Sequence, residues 1–193
     1  MFIDHLTIML VNLAAGLTLM GIFVLKFMDK DRKRMAPGFL LSGFVSLVTS
    51  LHIVFTWPLP GSYNIAFGEM AAFFGVLFFV AGLAFLFDWD LFTLGIYAAF
   101  VGLGSIIIGA RILSLNMTSE PLMAGGGFIL TGLMAFLTIP VFYLRRFLLV
   151  RVLAAVGLFG SAAIWALTGF TAYWSHLAGF AKWAPVFMQQ AAK

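Results

Sequence analysis

Six long apolar stretches, separated by short charged or turn-rich segments, constrain this sequence more than any other feature. They run over about residues 6–27, 37–57, 68–87, 91–113, 123–144 and 152–174. A helix needs about 20 apolar residues to cross the hydrocarbon core of a bilayer, and each stretch supplies that length. The sequence therefore predicts an all-α, polytopic bundle of about six transmembrane helices, formed by residues 1–193 as a single integral membrane domain.

Composition excludes the soluble classes of protein. Of 193 residues, 63% are hydrophobic and 9% are charged, against about 45–50% and about 25% in soluble domains. A soluble fold of this length could not bury so much apolar surface, so the predicted partner is the lipid bilayer. The net charge of +4 comes from residues at helix ends and gives no reason to expect nucleic acid. The absence of cysteine excludes disulfides, thiolate metal sites and cysteine nucleophiles.

The two ends of the chain are predicted to differ. The first residues lack the positive region and the cleavage site of a removed signal peptide, so we expect the first apolar stretch to be retained as a helix. The tail, residues 175–193, is interrupted by Gly179 and Pro185 and is too short to span again. Phe180, Lys182 and Trp183 suit a segment that lies in the headgroup layer.

The positive charges predict an orientation. Eight of the eleven Lys and Arg residues fall on loops one, three and five taken together. These are Lys26, Lys30, Arg32, Lys33, Arg34, Arg145, Arg146 and Arg151. Positive loops stay in the cytoplasm, so we expect both termini on the non-cytoplasmic side of the cell's inner (cytoplasmic) membrane.

Two predicted helices carry faces suited to close packing. Lipid offers no hydrophobic drive for helix association, so packed faces are rich in small residues. Such a face on span four contains Gly95, Ala98, Gly102, Ser105 and Gly109. The matching face on span six contains Ala162, Trp165, Gly169, Ala172 and His176. We therefore expect His176 to point along a packed face.

Span two carries a polar stripe. Its members, at steps of three and four, are Ser42, Ser46, Thr49, His52 and Thr56. A polar stripe in a membrane helix faces the protein interior or a wet cavity. Alternatively, serine and threonine hydroxyls bond to carbonyls of their own helix and the stripe has no further role.

All three histidines are predicted at the outer ends of helices. His5 precedes span one, His176 ends span six, and His52 lies roughly 7–8 Å below the outer end of span two. An ionisable group within a span is costly and usually has a partner. For His52 we predict Glu69, at the outer start of span three. The other polar residues predicted at this side include Tyr63, Asn64, Arg111 and Tyr173.

Three chemistries could use these side chains. A b-type haem would take His52 and His176 as axial ligands from facing helices, although their predicted depths differ. A metal ion would draw its ligands from His5, His52, Glu69 and His176. In the third chemistry, His52 and Glu69 carry protons or anchor the polar head of a quinone.

Each of these side chains also has a purely structural interpretation. His52 could be a core histidine bonded to a carbonyl, Glu69 a helix-start carboxylate favoured by the helix dipole, and Arg111 a side chain that extends to lipid headgroups. The acids, serines and glycines occur in no catalytic or phosphate-binding motif. Catalytic residues therefore stay unknown, and the sequence favours a protein that is not an enzyme on its own.

The segment 52–69 has a distinctive sequence, H-I-V-F-T-W-P-L-P-G-S-Y-N-I-A-F-G-E. Together with the six-span layout, it resembles the family of small predicted membrane proteins called domain of unknown function 981. The residues that carry the resemblance are His52, Trp57, Gly61, Tyr63, Asn64, Gly68 and Glu69. The resemblance covers most of the chain and implies a membrane protein, but no activity.

Three hypotheses of function follow. The first is an accessory or cofactor-binding subunit of a redox or respiratory-type membrane assembly, with an outward-facing site at His52, Glu69 and His176. The second is a transporter or channel for a small molecule, metal ion or proton, which would need a polar path that the inner halves of the spans scarcely provide. The third is a purely structural subunit, held to other membrane subunits or to further copies of itself.

Overall fold

The computed structural model describes residues 4–181 and residue 183, and these are helical throughout apart from short connections. Most of the predicted tail, including Lys182 and Pro185, lies outside the described residues. The helices are α1 His5–Ile22, α2 Ala36–Thr56, α3 Met70–Phe87, α4 Phe92–Leu115, α5 Pro121–Phe136, α6 Thr138–Tyr143 and α7 Leu148–Gly179. Short helical turns adjoin three of these helices. The π-helical turn Phe23–Phe27 follows α1, the 3-10 helical turn Arg32–Met35 precedes α2, and the π-helical turn Asn64–Glu69 precedes α3.

Five helical segments among the described residues are long and apolar enough to cross a membrane. They are His5–Phe27, Arg32–Thr56, Asn64–Phe87, Phe92–Leu115 and Leu148–Gly179. This length and composition are those of a multi-pass membrane protein. A sixth apolar helix, α5, has 16 residues and is too short to be counted with them.

The predicted fifth span, residues 123–144, is not one helix. The chain leaves regular helix at Leu137, where ψ is 3°, and resumes as α6. Pro140 explains the position of the break, because it has no N–H to donate to the Phe136 carbonyl and its ring crowds the preceding turn. α5 and α6 together still cover residues 121–143, the length of a span.

The last helix is longer than predicted at both ends. α7 contains 32 residues, against the predicted 152–174, and therefore includes the first five residues of the predicted tail. At 1.5 Å per residue it is about 48 Å long, well beyond the roughly 30 Å hydrocarbon core. Hydropathy predicts only the part of a helix that meets lipid. The backbone hydrogen bonds of a helix continue beyond that part into the headgroup layer, so the helix is longer than the apolar stretch.

The predicted small-residue face of α4 packs against α5. A Cβ atom on Gly102 would lie 2.5 Å from the carbonyl oxygen of Gly132, so the two backbones touch there. Near the other end of the same interface, a Cβ on Gly109 would lie 2.6 Å from the carbonyl oxygen of Gly125. Between these points Ser105 donates a hydrogen bond of 2.7 Å to the Phe128 carbonyl. Glycine and serine are therefore required for this approach.

Ion pairs join the charged loops at one end of the bundle, which we call the basic end. Asp29, after α1, pairs with Arg145 at 3.4 Å and with Arg151 at 3.2 Å. Asp88, after α3, pairs with Lys33 at 2.9 Å and with Arg32 at 3.8 Å. The hydrogen bond from Lys33 holds the pKa of the Asp88 carboxyl below its ordinary value. Loops one, three and five thus meet at this end.

Candidate functional site

The opposite end of the bundle, which we call the outer end after the predicted orientation, brings the three histidines into two contacts at the start of α1. His5 begins α1, His52 lies near the end of α2, and His176 lies near the end of α7. The ring of His5 stacks on that of His52, and His176 bonds to Asp4, the residue next to His5. The N-terminus of α1 therefore links α2 to α7 through imidazole rings.

The first contact is a hydrogen-bonded network around Asp4. Nδ1 of His176 lies 2.6 Å from Oδ2 of Asp4 and 3.3 Å from Oγ1 of Thr7. The hydroxyl of Thr7 donates to Oδ1 of Asp4 at 2.7 Å, so its oxygen is left to accept. Both neighbours of Nδ1 are then acceptors, so Nδ1 is the nitrogen that carries a proton and donates it to Asp4.

Asp4 also begins α1. Its side chain accepts a hydrogen bond from the backbone N–H of Thr7 and so caps the helix. Partial burial acts to raise the pKa of Asp4, but the hydrogen bonds from His176 and Thr7 and the nearby imidazole outweigh burial and leave this pKa below its ordinary value. Asp4 is therefore an anion at neutral pH, and it both caps α1 and orients His176.

The second contact is the stack of His5 and His52, which we call the histidine stack. The ring centroids are 4.5 Å apart and the ring planes differ by 14°. His5 is buried, with 7% of its surface exposed, while His52 is half-buried. Two rings lying face to face at this distance leave no space for a porphyrin between them, so the stack is not a pair of haem ligands.

Glu69 does not join either contact. It ends the π-helical turn before α3, is half-buried, and makes no hydrogen bond to His52 within residues 4–181. The part of the chain that the structure describes also contains no group of three or more His, Asp or Glu side chains able to hold a metal ion. Of the four predicted ligands, His5 and His52 stack on each other, His176 bonds to Asp4, and Glu69 joins neither contact.

Two of the predicted outer residues organise the loop between α2 and α3. Asn64 is fully buried: its side-chain nitrogen donates to the carbonyls of Leu59 and Gly61, and its oxygen accepts from the N–H of Leu59. The hydroxyl of Tyr63 donates to the Met117 carbonyl in the loop after α4. These bonds satisfy both polar side chains and give each a structural role.

Arg111 and Tyr173 lie on exposed surface. Arg111 is exposed on α4 and donates to the hydroxyl of Ser114 on the same helix at 3.4 Å. Tyr173 is 40% exposed on α7, one turn before His176. Within residues 4–181 neither side chain forms a hydrogen bond with Asp4 or a histidine, so neither belongs to the hydrogen-bonded network around Asp4.

The polar stripe of α2 is largely used in packing. Ser46 donates to the Ala71 carbonyl on α3, and Ser42 exchanges bonds with Asn12 on α1. The hydroxyls of Thr49 and Thr56 donate to carbonyls of their own helix. The stripe thus combines both interpretations: its serines face neighbouring helices in the protein interior, and its threonines bond within α2. His52 is the member that stacks on another imidazole ring.

A cavity at the basic end had no counterpart in the sequence analysis. It has a volume of about 330 Å³ and lies between α1, α3, α4, α5, α6 and α7. Its walls are apolar except for the hydroxyl-bearing Thr131 and Thr138. Residues on both sides of the helix break, from Met134 to Phe142, line it. The break at Pro140 was the one sequence signal for this space.

Comparison with known proteins identifies one family. The model of the family described as Protein of unknown function (DUF981) matches residues 1–179, which is nearly the whole chain. No curated protein and no solved structure matches the chain.

Proposed function

Because this chain belongs to the DUF981 family, whose function is unknown, we propose a function from its own geometry: it is a proton-responsive membrane protein whose responding groups lie at the outer end. The observation that carries the proposal is the 2.6 Å contact between Asp4 and His176 beside the histidine stack. Histidine is the side-chain type that ordinarily changes charge between about pH 5 and 8. The proposal is that the three histidines, which lie on three helices, make the outer end respond to acid.

The two contacts respond to acid in opposite directions. Protonation of His176 at Nε2 adds a positive charge beside the Asp4 carboxylate and strengthens the link between α1 and α7. Protonation of both His5 and His52 places two positive rings 4.5 Å apart. Their repulsion is about 4 kcal/mol at an effective dielectric constant of about 20, before screening by water and salt. Acid therefore moves the N-terminus of α1 away from α2 and towards α7.

This proposal has more support than the cofactor sites predicted from the sequence. A metal ion needs several donors that converge, and the described residues contain no group of three or more such side chains. A channel needs a polar path, whereas towards the basic end the core contains the packed rings of Phe23, Phe39, Phe78 and Phe85. A subunit role in a larger membrane assembly, redox-type or other, agrees with the proposal and would give the outer response a partner.

The orientation predicted from the positive loops is part of the proposal. It places the basic end in the cytoplasm and the histidines on the non-cytoplasmic side. His176 is three residues from the end of a helix about 48 Å long, so its ring lies near the membrane surface and exchanges protons with water. The protein would then respond to the pH outside the cell.

Hydrogen exchange at two pH values tests the proposal. The protein is placed in nanodiscs, and exchange at the end of α2 and the start of α1 is compared at about pH 5 and pH 8 after correction for the intrinsic rate. We expect faster exchange at residues 52–56 in acid. His52→Phe keeps a stacked aromatic ring without a second charge, so it should remove this increase. Equal increases in the wild type and in His52→Phe would disprove the role of the stack.

The Asp4 contact is tested separately. Asp4→Asn keeps the helix cap and an acceptor for His176 but removes the negative charge. Acid should slow hydrogen exchange at the end of α7 in the wild type and not in this variant, because the negative charge that strengthens the link between α1 and α7 is gone. Glu69→Gln is the matched control, since within residues 4–181 Glu69 forms no hydrogen bond with Asp4 or a histidine. Equal slowing in the wild type and in Asp4→Asn would contradict the proposal.

A further inference from the structure

We infer that the cavity at the basic end is a binding site for a single-chain anionic amphiphile, with its hydrocarbon chain inside the bundle and its carboxylate or phosphate head at the turn between α6 and α7. The inference goes beyond the proton response of the outer end and does not depend on it. It rests on the chemistry of the cavity wall, on the cause of the cavity and on the charges at its mouth.

The wall chemistry fits hydrocarbon and not water. A buried water needs two to four polar partners. Thr138 donates its hydroxyl to the Met134 carbonyl at 3.3 Å, and Thr131 is bonded to Ser161 and to the indole N–H of Trp165. The two hydroxyl-bearing side chains that line the cavity are therefore already bonded. An unfilled apolar space of this size would leave its lining side chains without contacts, which packed interiors avoid.

The broken fifth helix creates the space. α6 contributes no buried residue, although four of its six side chains line the cavity. An unbroken helix continuing α5 would have packed its side chains into this region. With a volume of about 330 Å³, the cavity is at the lower end of the roughly 300–1,000 Å³ of small-molecule sites, which suits one hydrocarbon chain.

The mouth of the cavity carries arginines in excess of acids. Phe142 and Val150 both line the cavity, and the turn that joins them contains Arg145 and Arg146. Arg151 follows Val150 and donates to the carbonyls of Val24 and Leu25 on the opposite wall.

Few carboxylates balance the charge of these three arginines. Arg145 and Arg151 both pair with Asp29. The guanidinium of Arg146 lies 4.7 Å from the centre of the Phe147 ring and, among residues 4–181, pairs with no carboxylate. Arginine suits a carboxylate or phosphate because its planar N–H groups match two oxygens at once. An anionic head at this turn would supply the missing charge.

The test uses laurate, lauryl alcohol and inorganic phosphate as probes. The full chain is purified in a sterol-based detergent, whose rigid rings differ from a chain, and binding is measured by native mass spectrometry and calorimetry. We expect one laurate per protein, weaker binding of lauryl alcohol, and no displacement of laurate by phosphate. Equal affinity for laurate and lauryl alcohol would overturn the anionic head, and displacement by phosphate would overturn the role of the chain.

Paired variants locate the chain. Ala98 lines the cavity and Ala110 is exposed on the same helix, α4. Ala98→Phe should weaken laurate binding at least roughly tenfold by occupying the space, and Ala110→Phe should leave it unchanged. If Ala98→Phe does not fold, Ala154→Phe in the cavity and the exposed Ala163→Phe provide the same comparison on α7. Equal binding by both members of a pair that folds would refute a site in the cavity.

A charge variant locates the head. Arg146→Gln should lower the affinity for laurate roughly threefold to tenfold and leave the affinity for lauryl alcohol unchanged. Arg34→Gln is the matched control, because Arg34 is exposed at the same basic end but on loop one. If both variants lower the affinity for laurate equally, the head is held by the general positive charge of this end and the assignment to the turn is wrong.

Discussion

The contact between α4 and α5 gives the sharpest stability prediction, through Gly102→Ala. The added methyl carbon would lie 2.5 Å from the Gly132 carbonyl oxygen, whereas an ordinary contact begins at 3.4 Å, so the helices must separate locally by the difference, 0.9 Å. The same separation would stretch the 2.7 Å bond from Ser105 to Phe128 to about 3.6 Å, beyond hydrogen-bonding distance. The two helices cannot relieve this clash by tilting, because they approach each other as closely at Gly109 and Gly125, further along the same interface.

The expected cost follows from these displacements. Overpacking lowers the free energy of unfolding by about 1–3 kcal/mol, and loss of the hydrogen bond lowers it by about 1 kcal/mol. The higher helix propensity of alanine raises it by up to about 1 kcal/mol. Gly102→Ala should therefore lower the free energy of unfolding by roughly 1–3 kcal/mol. Gly126→Ala, on α5, is the control, since a Cβ there meets nothing within 4 Å. It should be neutral or stabilising by up to about 1 kcal/mol.

The measurement is reversible unfolding in mixed micelles with increasing dodecyl sulfate, followed by far-ultraviolet circular dichroism. The two variants should differ by roughly 1–4 kcal/mol, the sum of the loss at Gly102 and the gain at Gly126. If Gly102→Ala is as stable as Gly126→Ala, the two backbones are not in contact and the packing of α4 on α5 described above is wrong.

Three further predictions concern single polar groups. Asn64→Ala removes three hydrogen bonds of a fully buried side chain and should lower the free energy of unfolding by about 3 kcal/mol in the same assay. Trp165→Phe removes the 2.8 Å bond from the indole N–H to Thr131 in the core and should cost roughly 1–3 kcal/mol, whereas the exposed Trp174→Phe should be neutral. Asp4→Ala should lower the free energy of unfolding at neutral pH by about 1 kcal/mol or more, because the helix cap is lost. The pKa of Asp4 is lowered in the folded state, so the stability difference between wild type and variant is fully present above the ordinary carboxyl range, about pH 4. It should shrink as the pH falls below that range.

The sequence predicted the helices because the bilayer fixes their length. The start of α2 at Ala36 and the end of α3 at Phe87 lie within one residue of the predicted limits. The small-residue face of α4 was also predicted correctly, and Gly102 and Ser105 make the contacts expected of it. These features are local: each depends on one helix and on the solvent around it.

Features that depend on the arrangement of helices were not predicted. Glu69 was the natural partner for His52 because a short loop joins their helices, yet the ring that stacks on His52 is His5, from α1. The bond between Asp4 and His176 joins residues 172 positions apart. Neither hydropathy nor residue spacing indicates which helices are neighbours, so these pairs had no signal in the sequence. The cavity depends in addition on how far the broken fifth helix lies from α7.

The proton response and the amphiphile site share α1 and α7, which makes their coupling testable. Leu17 and Met20 of α1 and Leu158 of α7 line the cavity, while Asp4 and His176 join the same helices at the outer end. If acid shifts α1 towards α7, it changes the cavity and therefore the affinity for the amphiphile. Linkage then requires that the bound amphiphile changes the proton affinity of the histidines by the same free energy.

Lauryl sulfonate is the probe for this coupling, because its head group does not titrate between about pH 5 and 8. The logarithm of its Kd should then vary with pH over this range, with a slope equal to the number of protons exchanged on binding. The double variant His52→Phe, His176→Gln keeps the cavity and its arginines but removes two of the three histidine rings of the outer end, so the slope should fall towards zero. An equal slope in the wild type and in the double variant would show that the two ends of the bundle act independently.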